Sequence, residues 1–271
     1  MDFVQSVILG AVEGFTEFLP ISSTAHLILT AKVLVISQTE FTKTFEIAIQ
    51  SGAILAVVWL YGKRFFLDGE TVKKIIVAFL PTAVLGLLLY KILKGILLEN
   101  IWITVLALFL GGIFLIMFEL WHKVPTPEEA RDPDQSVGGK TEAGEDVSKI
   151  PYWQCLLIGT FQSVAIIPGV SRAGATIIGG LFLGLSRKTI VEFSFLLAVP
   201  TMLAATSYDL LKTGANFSSE QFAILAVGFV VSFLVAIAAI KFLLRYIQKN
   251  NFIWFGVYRI IISLLFLLWL I

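Results

Sequence analysis

Two acidic residues, Glu13 and Glu17, stand four apart in the first apolar stretch of the chain. This spacing places both carboxyl groups on one face of a helix. A charged carboxylate at membrane depth costs about 2.5 kcal/mol or more on insertion scales, so such a residue is by default a candidate for function. The pair predicts a divalent-cation site at Glu13 and Glu17, or a general base at Glu17 beside a cation. The structural alternative is a hydrogen-bonded polar pair inside a helix bundle.

A proline and a run of hydroxyl residues follow these acids, in the string Pro20-Ile-Ser22-Ser23-Thr24-Ala-His26. Serine after proline marks the start of a helix, where a side-chain oxygen caps free N–H groups and anions bind. His26 lies three residues after Ser23, so the two can face each other as a nucleophile and its base. The alternative is simple capping beside a hydrogen-bonded histidine. We take Ser23 and His26 as candidate catalytic residues, and Ser22 and Thr24 as candidate substrate-binding residues.

A second break, at Pro168-Gly169, carries an arginine and further hydroxyl groups. Arg172 presents a planar fork that suits phosphate, although a salt bridge to Glu13 or Glu17 is its alternative role. Two helix starts, one arginine and two carboxylates together predict phosphate chemistry with a divalent cation, Mg²⁺ or Ca²⁺. The candidates at this break are Arg172 for catalysis, and Gly169, Ser171, Gly174 and Thr176 for substrate binding.

The composition defines the class of protein that must position these residues. Of the 271 residues, 58% are hydrophobic and only 14% are charged, against about 25% charged in soluble domains. The net charge of +1 provides no basic field for nucleic acid. A single cysteine, Cys155, excludes a disulfide within the chain. The composition therefore predicts a polytopic membrane protein.

Six stretches are apolar enough, and long or nearly long enough, to form membrane-spanning helices. They are residues 42–62, 75–90, 101–121, 189–211, 221–244 and 252–271. Two further apolar regions, 1–36 and 152–188, contain the breaks and predict re-entrant pairs of half-helices, because irregular backbone survives at membrane depth only where protein or a watery cavity satisfies it. Arg259, in the last span, is expected to extend its side chain to the membrane surface. The sequence thus predicts an all-α polytopic membrane protein of two membrane repeats, 1–121 and 151–271, joined by an acidic cytoplasmic linker, 122–150.

The two halves resemble each other around the breaks. Aligning Ser23 with Ser171 gives an offset of 148 residues, and Glu46 matches Glu192 at an offset of 146. Because the first hairpin would enter from outside and the second from inside, this is an inverted-topology repeat whose breaks meet near the midplane. Lys and Arg residues concentrate on the side of the linker, which places both chain termini outside.

The strings EGFTEFLPISSTAH (13–26) and PGVSRAGAT (168–176) together resemble the signature regions of undecaprenyl-diphosphate phosphatases of the bacitracin-resistance type. The string EFSFLLAVP (192–200) also resembles that family, and only the linker lies outside the resemblance. The resemblance implies a hydrolase of the bacterial inner membrane that removes the terminal phosphate of undecaprenyl diphosphate. Such an enzyme thereby recycles the lipid carrier for peptidoglycan synthesis and provides bacitracin resistance. Two positions depart from the family strings, because Ala25 stands where glycine is usual and Ala173 where serine is usual.

The sequence leaves the attacking group, the oligomeric state and one rival function open. The resemblance implies a polyprenyl diphosphate substrate and a membrane-lipid environment, and it leaves a homodimer open. Our mechanistic hypothesis places the diphosphate in a cavity that opens toward the periplasmic side. Either Ser23 attacks the terminal phosphorus with His26 as base, or His26 activates water directly. The rival function is a polyprenyl-phosphate flippase or a secondary transporter, because such proteins also use inverted repeats with broken helices.

Overall fold

The structure is a computed structural model that describes residues 1–92, 100–122, 146–213 and 218–270. Within those ranges the chain forms α-helices and short 3-10 turns, and no strand. The helices, numbered in chain order, are α1 (Phe3–Thr16), α2 (Ser23–Val33), α3 (Glu40–Leu67), α4 (Gly69–Ile92), α5 (Ile101–His122), α6 (Tyr152–Ser163), α7 (Arg172–Phe182), α8 (Arg187–Thr213), α9 (Ser219–Tyr246) and α10 (Ile253–Leu270). Most of the predicted acidic linker, 122–150, lies outside the described residues.

Five helices contain stretches that are long and apolar enough to cross a membrane. These stretches are Glu40–Lys63, Gly69–Leu89, Ile101–His122, Arg187–Tyr208 and Ser219–Tyr246, which correspond to five of the six predicted spans. The sixth predicted span forms α10, an apolar helix whose searched part, Ile253–Leu268, is shorter. The chain is therefore an all-α polytopic membrane protein, as predicted.

Each predicted re-entrant region is a pair of short helices separated by a break, α1 with α2 and α6 with α7. Ser22 and Ser171 immediately precede the second helix of each pair, and both have positive φ, 70° and 78°. Val35 and Gly184 follow those helices, again with positive φ, 53° and 83°. One offset of 149 residues relates both pairs of positions. The predicted offset of 148 is therefore wrong by one residue: the counterpart of Ser171 is Ser22, because both are the last residue before a helix.

The first short helix of each half packs against a long helix of the other half. Helix α1 packs on α9 of the second half, and α6 packs on α4 of the first half. Both contacts are close enough to require glycine: a Cβ at Gly10 would lie 2.5 Å from the carbonyl oxygen of Gly228, and one at Gly159 would lie 1.9 Å from that of Ala78. Gly10 and Gly159 are separated by the same 149 residues. This reciprocal packing supports the predicted repeat and brings the two breaks together.

Gly159→Ala is expected to destabilise the protein, because its new methyl group would meet the backbone of α4. Overpacking of this kind costs about 1–3 kcal/mol, which should lower the apparent melting temperature of the detergent-solubilised protein. Gly86→Ala is the control, since none of the residues that the structure describes lies within 4 Å of a Cβ at Gly86. Equal melting temperatures for the two variants would contradict the close contact between α6 and α4.

Candidate active site

The two breaks line a common cavity of about 120 Å³. Its polar lining consists of predicted site residues from both halves of the chain: Glu17, Ser22, Ser23, Thr24, Gly169, Ser171 and Arg172. Its apolar lining comes from the second half: Ala165, Ile167, Pro168 and Met202. The cavity thus has the mixed character expected of a site for a molecule with a polar head and an apolar tail.

Glu17 is the centre of the polar side of this cavity. Ser23 Oγ donates a hydrogen bond to Glu17 Oε2 at 2.6 Å, and Arg172 Nη2 donates to Glu17 Oε1 at 2.9 Å. Arg172 Nη1 also donates to the carbonyl oxygen of Ser194 at 2.9 Å, which holds the guanidinium in place. Glu17 is only 5% exposed, so the pair with Arg172 is a buried one. The arrangement places a carboxylate where it can take the proton of the Ser23 hydroxyl.

His26 is occupied by other partners. Its Nδ1 lies 2.7 Å from the carbonyl oxygen of Ser22, which can only accept, so Nδ1 carries the proton. Its Nε2 therefore accepts from the hydroxyl of Tyr258 at 2.8 Å, and the two rings stack. The structure corrects the predicted pairing of Ser23 with His26: Glu17, at the end of the preceding helix, offers the serine a stronger acceptor. Sequence reasoning missed Tyr258, since no local spacing connects it to His26.

Glu13 lies one helical turn before Glu17 and is completely buried. Neither of its carboxylate oxygens accepts a hydrogen bond from the described residues. Its nearby ionisable groups include the carboxyl groups of Glu17 and Glu46 and the guanidinium of Arg172. Glu13 does not line the cavity but lies behind Glu17, which does. A buried acceptor without a donor is costly, so Glu13 needs a cation or a proton.

The counterpart of Glu13 in the repeat is Gln162, and its surroundings are different. The amide nitrogen of Gln162 donates to the hydroxyls of Thr82 at 2.9 Å and Thr201 at 3.2 Å. Its amide oxygen accepts from Thr176 at 3.3 Å. Thr176, a predicted substrate-binding residue, thus belongs to a satisfied neutral cluster and not to the cavity wall. The two halves have the same backbone arrangement, but only the first carries carboxyl groups here.

The second break is shaped by a cap and by positive φ angles. Ser171 Oγ accepts a hydrogen bond from the backbone N–H of Gly174 at 3.1 Å, which confirms the predicted cap. Gly174 serves the cap and does not line the cavity. Gly169 has φ +95°, and a Cβ there would lie 2.2 Å from the carbonyl oxygen of Thr104. Gly169 is therefore required by both its conformation and the packing of α5.

Arg259 was expected at the membrane surface, and this prediction is wrong. Its side chain is buried behind the cavity, with 2% of the residue exposed. It donates hydrogen bonds to carbonyl oxygens at both breaks, including those of Pro20 and Gly169. The acceptors lie far away in sequence, so nothing near residue 259 indicates them.

The fold and the cavity define a class: a polytopic membrane protein with an internal site in which a serine, a carboxylate and an arginine meet between two broken helices. The chain belongs to the family of the bacitracin resistance protein BacA, whose family model matches residues 6–265. An undecaprenyl-diphosphatase of Sulfurihydrogenibium sp. is 51% identical over 99% of this chain and 100% of its own length. An undecaprenyl-diphosphatase of Persephonella marina is 50% identical over 99% of this chain and 99% of its own length. One of Aquifex aeolicus is 48% identical over 97% of this chain and 96% of its own length. The resemblance read from the sequence is confirmed.

Proposed function

We propose that the protein is a membrane phosphatase that hydrolyses undecaprenyl diphosphate to undecaprenyl phosphate and inorganic phosphate. The observation that carries the chemistry is the hydrogen-bonded set of Ser23, Glu17 and Arg172 at the cavity. The relatives that carry the name undecaprenyl-diphosphatase supply the substrate. Their name gives no support to the flippase or transporter alternative. Release of the product would recycle the lipid carrier used in peptidoglycan synthesis.

In the proposed mechanism the diphosphate binds the guanidinium of Arg172 and replaces Glu17 as its anionic partner. The guanidinium and the N–H groups at the start of α7 stabilise the charge that develops on the transferred phosphoryl group. Glu17 accepts the proton of Ser23 while Oγ bonds to the terminal phosphorus and the bond to the bridging oxygen breaks. Undecaprenyl phosphate leaves, and water then hydrolyses the phosphoserine. In the second route Glu17 takes a proton from water, which attacks the same phosphorus directly.

We further propose a divalent cation, Mg²⁺ or Ca²⁺, held by Glu13 and Glu17. The described residues contain no group of three or more His, Cys, Asp and Glu side chains suited to a metal. The two oxygens of Glu13, which accept no hydrogen bond in the described part of the chain, fit the ion nevertheless. Mg²⁺ is commonly bound by one or two carboxylates together with substrate phosphates. The ion would neutralise phosphate charge beside the two carboxyl groups.

EDTA is expected to stop phosphate release, and Mg²⁺ or Ca²⁺ to restore it. Glu13→Gln should raise the cation concentration for half-maximal activity at least tenfold, because it removes one anionic ligand. The measurement is a cation titration of the purified protein, with Glu40→Gln, on the exposed surface, as control. Full activity of the wild type in EDTA would contradict the proposed cation.

Arg172→Ala is expected to lower phosphate release from a polyprenyl diphosphate by about 10²–10³-fold, the usual cost of one charge-stabilising donor. The assay uses purified full-length protein, and Lys43→Ala is the control, since the Lys43 side chain lies at the surface and pairs there with Glu40. No release by folded wild type would refute the phosphatase, and a wild-type rate in Arg172→Ala would exclude the cavity as its site.

The apolar lining of the cavity suits the first isoprene units of the substrate, and we propose that the tail leaves past Ile167 and Met202 into the lipid. We also propose that the protein lies in the bacterial inner membrane, with the cavity open to the periplasmic side and both termini outside. The distribution of Lys and Arg supports this orientation. A homodimer stays a prediction.

A further inference from the structure

Arg259, near the start of α10, uses every hydrogen-bond donor of its side chain. A guanidinium has five N–H groups, and five backbone carbonyl oxygens accept from it at 2.8–3.2 Å. These oxygens belong to Pro20, Ala107, Leu108, Gly169 and Val170. The partners of this charge in the described structure are thus carbonyl groups, and no donor is left for a substrate.

The five acceptors come from three places in the fold. Pro20 lies in the first break, Gly169 and Val170 lie in the second, and the other two acceptors are on α5. One side chain therefore fastens both breaks to each other and to a membrane-spanning helix. The carbonyl oxygens point toward Arg259. Because their partial negative charge is directed at the guanidinium, it repels a phosphate in the cavity less.

We propose that Arg259 is a positioning residue for the diphosphate site. Ser23 lies three residues after Pro20, and Arg172 lies two residues after Val170. By binding the carbonyl groups of Pro20 and Val170, Arg259 holds Ser23 opposite Arg172 without contacting the phosphates itself. Its buried charge also raises the positive potential behind the cavity. This inference rests on the proposed function, because it assigns to Arg259 the spacing that the reaction requires.

The surrounding residues make room for this guanidinium. A Cβ at Gly111 would lie 2.0 Å from Arg259 Nη2. Gly111→Ala therefore displaces the guanidinium and keeps the arginine. Arg259→Lys keeps a positive charge but has three donors for five acceptors. The two variants disturb the same set of hydrogen bonds by independent routes.

The test measures binding and turnover separately on purified full-length protein in detergent. Calorimetric titration with inorganic diphosphate gives a Kd, and phosphate release from a polyprenyl diphosphate gives kcat and KM. Arg259→Lys and Gly111→Ala are each expected to raise both Kd and KM at least tenfold and to lower kcat. Gly86→Ala and Arg187→Lys are the controls, and their Kd should stay within twofold of wild type. Arg187 is an equally buried arginine that pairs with Glu119.

Each contrary result has a distinct meaning. A wild-type Kd and KM in either folded variant would overturn the proposal, and so would a Kd that rises equally in Arg187→Lys. Loss of folded protein in both Arg259→Lys and Gly111→Ala would assign Arg259 to stability alone and would also overturn it. A wild type that binds inorganic diphosphate but releases no phosphate would refute the proposed function, while the Kd comparison would still test the positioning role. A wild type that does not bind inorganic diphosphate would overturn the positioning role itself.

Discussion

Glu17→Gln is expected to reduce turnover by about 10³-fold, within the range attributed to a general base. Glu17 is the acceptor for the Ser23 hydroxyl and the anionic partner of Arg172, so both attack routes require its carboxylate. The variant leaves the guanidinium of Arg172 without its counter-charge and therefore free to bind phosphate. We expect KM, and Kd for inorganic diphosphate, to stay the same or to fall while kcat collapses, the pattern of an interaction lost from the transition state.

His26→Gln is the informative comparison for this prediction. Because His26 joins the Ser22 carbonyl to the Tyr258 hydroxyl, its replacement should loosen the first break and cost about tenfold in kcat. Tyr258→Phe should lower kcat by a similar factor, because it removes the hydroxyl that donates to His26 Nε2 and so breaks the same connection. Steady-state kinetics of the three variants, in one detergent and at saturating cation, rank the residues by the loss of kcat that each replacement causes. A loss in His26→Gln larger than that in Glu17→Gln would return the role of base to the histidine.

The fold was largely predictable, because its signals are local. The lengths of the apolar stretches predict the long helices, and the polar strings at Pro20 and Pro168 predict breaks that the structure places between paired short helices. The repeat was detectable as well, but its register was not. Two adjacent serines, Ser22 and Ser23, can each be aligned with Ser171, and only the backbone shows that Ser22 shares its positive φ.

The residue types of the site were also predictable, whereas their pairing was not. The breaks supply most of the cavity's polar lining, and the pairing of Arg172 with Glu17 was one of the expected alternatives. Spacing within a helix suggested Ser23 and His26 as partners, although the chain turn before α2 brings Glu17 closer to the serine. Tyr258 and Arg259 act across more than 230 residues on the first break. Contacts of this kind arise from helix packing, which sequence spacing does not record.

Ser23→Ala is expected to abolish phosphate release, with a loss of about 10³-fold or more in kcat and an unchanged Kd for inorganic diphosphate. The Ser23 hydroxyl donates to Glu17 at 2.6 Å and lines the cavity beside Arg172, so it lies where a nucleophile with its base is required. The cavity, the arginine and the carboxylate all remain in this variant. Loss of turnover with binding retained therefore isolates the hydroxyl.

Ser22→Gly provides the matched control. Ser22 also lines the cavity, but its side chain makes no capping hydrogen bond, and glycine adopts the positive φ at this position without strain. A loss of kcat in Ser23→Ala that far exceeds the loss in Ser22→Gly favours attack by Ser23. It also predicts a phosphoserine, detectable as an added phosphate on the peptide that contains residue 23. A Ser23→Ala variant that keeps a tenth or more of the wild-type kcat would instead favour water activated by Glu17, because a carboxylate released from the serine can orient water in the same space.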